Sequence, residues 1–434
     1  MRHPLLLATA LIAAPGLSPA QAERSAVYDP DSTHPWNRLF QLFYVRHTPD
    51  GSAYGGDVLD PYLAFGTHYL VSGSSSRTAE RMLTEFLATN AERLVMDPVK
   101  RAMLQRDLLA VYVWLTQPGM GAEQTPRRAM LAQLVVRIIR KLALSDSVIA
   151  ALPSAFALGD SALPAGLADS TSGWVCLGRA DGTPVAPTHL QALGGRSTFV
   201  VFLNVPGGHA ATLGYLAQLR TIPTGWRIDP QRIGNPPIDS QILRTMSVPF
   251  PEPPQIPAGT RVALLRFANL VDRHGRRDPS TLVESVQVRQ YDTIPGGPAG
   301  VAYVGRTPYQ RVFESQLSRR ALFAHNGVGL RMLDSTTRTH SPFLGHGDDI
   351  FENPPPFISA ATRRELLAGT VVLRTCGSCH EAVGLPSFIS YSRERFGSGE
   401  GSPPKLVEST VAREVTRQID WLTAHGNIMS VPQH

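Results

Sequence analysis

The chain has 434 residues, 43% of them hydrophobic, with 41 basic and 35 acidic side chains and a formal charge of +6. That length and apolar content suit two or three domains with their own cores, while three cysteines are too few to build a disulfide scaffold. The charge is mild and spread without basic runs, which argues against nucleic acid and against an anionic membrane surface as partners.

Residues 1–22, "MRHPLLLATALIAAPGLSPAQA", have a basic start at Arg2, an apolar run from Leu5 to Ala14, and Ala20 and Ala22 spaced as in a signal-peptidase site. The run is shorter than the roughly 20 apolar residues that span a bilayer, and nothing like it recurs. The first cysteine is Cys176, so no cysteine stands at the cleavage point to carry a lipid, and there is no twin-arginine pair. The expectation is a periplasmic or secreted bacterial protein with no transmembrane segment once the leader is removed. Cleavage leaves 40 basic against 35 acidic residues, or +5. Apart from Lys100, Lys141 and Lys405 the basic residues are arginines, as in proteins of GC-rich bacterial genomes.

Residues 23–150 read as a helical domain. Asp97-Pro98 is an N-cap followed by proline in the first turn, where its missing N–H costs nothing. Leu104, Leu108, Val111 and Leu115 then recur at helical spacing as far as Pro118. Thr125-Pro126 repeats the device ahead of Met130, Leu134, Ile138 and Leu142. Met82, Leu83, Phe86 and Leu87 mark an earlier amphipathic helix. Three such stripes predict a bundle with a dry core.

From 151 to 350 the chain becomes β-rich. Strands are predicted at 174–178, 197–205, 261–271, 282–291 and 313–323, separated by Gly/Pro clusters. "VDRHGRRDPS" reads as a hairpin loop. "NVPGGHAATLGYL" reads as a tight turn at Gly207-Gly208 into a helix, without the spacing of a phosphate loop. Cys176, inside "WVCLG", is expected to be a buried, unpaired small residue. His340, His346, Asp348 and Asp349 are metal-compatible side chains in a Pro/Gly-rich loop, with neither H-x-x-x-H nor EF-hand spacing. Prolines 354–356 mark a linker.

The chemistry concentrates at Thr375–Gly384, "TCGSCHEAVG". Cys376, Cys379 and His380 form C-x-x-C-H: two thiols spaced to add to the two vinyl groups of a porphyrin, then an imidazole placed to take its iron. Stretches 359–375 and 409–426 are predicted as helices on either side. The second has Val411, Val415, Ile419 and Leu422 on one face, Ser409 or Thr410 as its cap and Gly426 at its end. On the motif and its flanking helices, residues 357–434 resemble a single-haem c-type cytochrome domain, with Trp421 and Leu422 in the terminal helix. The whole chain resembles exported bacterial proteins that end in such a motif. The resemblance implies one covalent haem c, held by Cys376 and Cys379, with His380 as proximal iron ligand and a redox partner protein. The fold class expected is thus multidomain α+β: a helical N-terminal region, a β-rich middle domain and a small, mostly α-helical cytochrome c-like C-terminal domain.

The usual methionine between the motif and the last helix is missing: no methionine or histidine occurs from Glu381 to Ala424. Met429 is the first candidate for the sixth ligand. His425, Lys405, Tyr391, and Met332, His340 or His346 from the preceding region are further ones, and an open sixth position is another outcome. Electron transfer is the function preferred. An open iron would instead suit a peroxidase-like enzyme or a small-ligand sensor, with His340, His346 or Glu381 as acid–base groups. The same cysteines also suit a thiol–disulfide pair, although Thr375 stands where such proteins carry an aromatic, or a structural disulfide or zinc half-site. No nucleophile–base motif or paired-carboxylate signature occurs elsewhere.

Overall fold

A computed structural model describes residues 26–57, 73–116, 126–169, 171–221, 225–228, 247–250, 254–294, 310–325, 327–339, 351, 356–375, 385–389 and 405–424. The chain is a mixed α and β protein whose helices pack on a seven-stranded antiparallel sheet.

Helix α1 (Pro35–Tyr44) starts at His34, whose imidazole accepts a hydrogen bond from the Trp36 amide, with Pro35 in the first turn. Its Trp36, Leu39, Phe40 and Phe43 are buried. A short hairpin follows, β1 (Val45–His47) with β2 (Ala53–Gly55). Then come α2 (Gly73–Ala88), α3 (Pro98–Thr116) and α4 (Pro126–Lys141). The predicted cap of α3 is present: the Asp97 carboxylate accepts from the Val99 and Lys100 amides at 2.8 and 2.9 Å. From Ala102 to Leu115 every residue of α3 is buried. A helix buried all round is the centre of its layer, with neighbours on each side and the sheet beneath.

The middle stretch supplies β3 (Val175–Arg179), α5 (Pro187–Ala192), β4 (Ser197–Asn204), α6 (Gly208–Thr221), the pair β5 (Gly225–Ile228) and β6 (Ser247–Phe250), β7 (Arg261–Val271), β8 (Arg277–Tyr291), β9 (Gln310–Leu317), α7 (Arg319–Ala324) and β10 (Leu330–Met332). Sheet order is β10-β9-β8-β7-β4-β3-β13, where β13 is Leu406–Glu408. Strands β7 and β8 form the predicted hairpin around Asp272–Arg276. Strand β4 is buried at seven successive positions because both faces of the sheet are covered. Val200 and Phe202 join the core under α1–α4, while Val201 and Leu203 face Tyr215 and Leu216 of α6. One prediction fails in part: 313–323 is not one strand. Ser318 accepts from the Ala321 amide at 3.2 Å and starts α7, so the strand stops at Leu317.

Strand β11 (Arg338–Thr339) pairs with β12 (Thr370–Val371), and past residue 357 come also α8 (Ala360–Ala368), α9 (Val372–Thr375), α10 (Leu385–Ile389) and α11 (Val411–Ala424). The helix expected across 359–375 is broken at Gly369, which has φ +67° and turns the chain into β12. The described end of the 357–434 stretch is built into the sheet of the middle stretch. Strand β13 pairs antiparallel with β3, Leu406 opposite Arg179 and Glu408 opposite Leu177. Because β3 pairs with β4 only at Leu203 and Phe202, the rest of that β4 edge is bare of strand. Helix α11 fills it. The Gln418 side chain accepts from the Phe199 amide at 2.8 Å and donates to the Phe199 carbonyl at 2.5 Å, as a neighbouring strand would.

The buried line of α11 is therefore Glu414, Gln418 and Leu422, with Val411 and Val415 only partly buried. Of the aliphatic face expected from its sequence, Leu422 is in this line, while Glu414 and Gln418 are not expected there. Thr410 is the capping residue, accepting from the Arg413 amide at 3.3 Å. Glu414 Oε1 takes hydrogen bonds from Ser409 Oγ (2.5 Å) and Arg417 Nη1 (3.0 Å). It lies so near Gly178 that a Cβ there would stand 2.6 Å from it.

Candidate functional site

Cys376, Cys379, His380 and Met429 lie outside the described residues, as do His340, His346, Asp348, Asp349, Glu381, Tyr391 and His425. The described chain on both sides of the motif is fixed to the body. Upstream, β12 pairs with β11, the Val372 amide donates to the Thr337 carbonyl at 2.9 Å, and Val372 is buried. Downstream, the Leu385 amide donates to Gln255 Oε1 at 2.7 Å. Ser387 Oγ and Tyr291 Oη, both buried, lie 2.8 Å apart. Burial pushes the Tyr291 phenol above its ordinary range, so it stays a neutral hydroxyl. C-x-x-C-H thus stands in sequence between two anchor points, four and five residues from Val372 and Leu385 at its nearest thiol and at His380.

Two of the proposed sixth ligands are described. Met332 is 66% exposed on β10, and Lys405 is exposed next to β13. These strands are the opposite edges of the sheet, six inter-strand steps apart, or about 29 Å at the usual ~4.8 Å spacing. One site cannot draw on both. Met332 lies five residues before Thr337, whose carbonyl accepts from the Val372 amide of the upstream anchor.

The third cysteine is separate. Cys176 is a free thiol, 9% exposed in β3, and burial, with the charges of Glu414 and Glu408 behind it, pushes its pKa up to about 12. It is a neutral, inert packing group, as predicted. Attachment of a porphyrin by thioether bonds needs two thiols, and the buried Cys176 is withdrawn from that role. Among the described residues, no group of three or more His, Cys, Asp or Glu side chains is placed to hold a metal ion.

The dithiol alternative expects a strand running directly into C-x-x-C within a parallel βαβ unit. Here a helical turn, α9, separates β12 from Cys376, and every pair in the seven-stranded sheet is antiparallel. The described surroundings are not those of that unit.

Sequence reasoning missed a buried ionic cluster beneath α3. Arg106 pairs with Glu284, which also binds Arg266 and accepts from Ser197 Oγ at 2.6 Å. Asp107 pairs with Arg319 at 2.6 Å and accepts from Tyr28 Oη at 2.8 Å. Burial opposes the charge on Arg319, but Asp107 beside it outweighs that and holds its pKa above the ordinary range. Arg106, Asp107, Glu284 and Arg319 are at most 2% exposed, so the cluster ties α3 and α7 to the sheet and is closed to a substrate. The signal was a charged pair, Arg106-Asp107, in the middle of an apolar helical stripe. No helix among the described residues is long and apolar enough to cross a membrane. Compared with protein-family models, curated proteins and solved structures, the chain matches none.

Proposed function

We propose that this is an exported electron-transfer protein carrying one covalently attached haem c on Cys376 and Cys379, with His380 as the proximal ligand of its iron. The observation that carries the reading is C-x-x-C-H in a chain whose first 22 residues have the pattern of an export leader and whose one other cysteine is buried. When bound, such a group supplies a one-electron couple whose potential depends on its axial ligands and on burial. The chain's own contribution is positional. The Thr337–Val372 bond and the β11–β12 pair hold the upstream side of the motif, and the Gln255–Leu385 and Tyr291–Ser387 contacts hold the downstream side. Fixed flanks limit reorganisation when the charge at the site changes. The chain's arginine enrichment suits an acidic redox partner, whose association would slow as salt is raised.

The stretch 357–434, expected as a cytochrome c-like domain, is in this reading a haem-bearing segment joined to the sheet through β13 and α11. Met429 and Met332 are both retained as sixth-ligand candidates. Lys405, on the far sheet edge from Met332, is a further one, alongside His425, Tyr391, His340, His346 and an open sixth position. The test is an absorption titration of the full chain made with c-type maturation machinery. Reversible reduction with a spectrum indifferent to carbon monoxide is expected. A high-spin spectrum that shifts on adding carbon monoxide or cyanide would replace electron transfer by the peroxidase-like or sensor function.

A further inference from the structure

A different part of the molecule carries an unbalanced buried charge. Arg277 opens β8 and is 8% exposed. Its Nη1 donates to the Gly194 carbonyl at 2.9 Å, but its buried Nε has no hydrogen-bond partner. No carboxylate pairs with it among the described residues; the ionisable groups acting on it are Tyr112 of α3 and a second buried arginine, Arg196. The Tyr112 phenol in turn feels both Arg277 and Arg140 of α4. The turn Gly194–Arg196 closes over the guanidinium. A Cβ on Gly195, at φ +68°, would stand 3.1 Å from Arg277 Nη1 and 3.1 Å from a Leu422 methyl of α11.

A guanidinium cannot shed its proton at working pH, and a charge taken out of water without a partner is destabilising. Arg106, Arg266 and Arg319 each meet a carboxylate, and buried Arg128 gives its Nε and Nη2 to the Leu115 and Trp114 carbonyls. Arg277 has a hydrogen bond from Nη1 only, and the second charge acting on it is a cation, Arg196. Burial pulls its pKa down to about 10, which Tyr112 partly offsets and Arg196 reinforces. A planar fork with Nε and Nη2 uncommitted is the geometry that receives two oxygens of one anion.

We infer that Arg277, with Arg196, Arg140 and Tyr112, forms an internal binding site for a small oxyanion of the phosphate or sulfate class, which bonds to Arg277 Nε and Nη2. The anion would lock the Gly194–Arg196 turn and the end of α11 against α3 and α4, joining the C-terminal helix to the N-terminal layer. This does not rest on the haem reading.

The experiment is thermal unfolding of the full chain in sodium phosphate, sulfate, succinate or chloride at matched ionic strength. A ligand that binds only the folded state raises the midpoint in a concentration-dependent way. Phosphate or sulfate should raise it by a few degrees over chloride, and Arg277→Met should abolish the difference. Succinate acting as strongly as phosphate would place the site with carboxylates and overturn the stated class. Equal midpoints in all four salts for the unaltered chain would overturn the site itself, with no variant needed. So would an Arg277→Met protein that folds and keeps the full phosphate effect.

Discussion

Gln418 closes the bare edge of β4 with both ends of its amide, and replacing it by methionine removes those ends at nearly constant volume. Phe199 would keep its packing but lose the acceptor for its N–H and the donor for its C=O, both in a residue only 3% exposed. A buried backbone group stripped of its partner costs about 1–3 kcal/mol, so two cost about 2–6 kcal/mol. Removing one amide from water by substitution returns part of this, since methionine carries no polar group to desolvate. A net loss of about 2–4 kcal/mol follows, read as a lower urea midpoint at unchanged slope. Hydrogen exchange adds a local test. The Phe199 amide should exchange faster in Gln418→Met, while amides of β8, two strands away, slow or quicken only with global stability. A loss below about 0.5 kcal/mol, or an unchanged Phe199 rate, would refute the assignment of α11 as an edge element. It would also restore the picture of a C-terminal unit separate from the sheet.

Arg319→Met leaves Asp107 buried with Tyr28 and the more distant Arg106, and should cost about 3–5 kcal/mol by chemical denaturation. Adding Asp107→Leu should restore part of that loss; equal instability of single and double variants would show that the pair does not act as a unit. Native Cys176 should resist iodoacetamide at pH 8 and react only on unfolding, since its folded thiol titrates at about 12. Because that pKa is raised from an ordinary 9.0, the thiol's contribution to stability is complete below pH 9 and is lost as pH climbs towards 12. Rapid native alkylation at Cys176 would contradict its burial.

Much of the architecture is legible in local pattern. Asp97-Pro98 announces α3, the stripes of α2 to α4 obey helical spacing, and the 261–271 and 282–291 strands flank a recognisable turn. Helix α1 was equally readable, with His34, Pro35 and the Trp36, Leu39, Phe40, Phe43 stripe, but its segment is short. The failures have physical causes. Ser318 switches a strand to a helix within one residue, and Gly369 breaks a helix whose composition would otherwise continue. In α11 the aliphatic residues suggested the buried face, yet the sheet edge demanded hydrogen bonds, so Gln418 and Glu414 took it. The pairing of β13 with β3 joins residues more than 220 positions apart, and three residues, "LVE", carry no periodic signal strong enough to reveal it. Arg277 and the Arg106–Glu284 cluster were hidden for the same reason: charge balance in a core is a property of the folded neighbourhood. The C-x-x-C-H motif is the opposite case, being fully local and readable without any fold.

That motif also supplies the sharpest test. Intact mass of the mature, full-length protein from a host competent in c-type maturation should exceed the bare polypeptide by one haem, and the excess should survive denaturation because thioether bonds hold it. Cys376→Ala together with Cys379→Ala should abolish it. A wild-type mass equal to the polypeptide alone, with Cys376 and Cys379 freely alkylated after unfolding, would contradict the account at its centre.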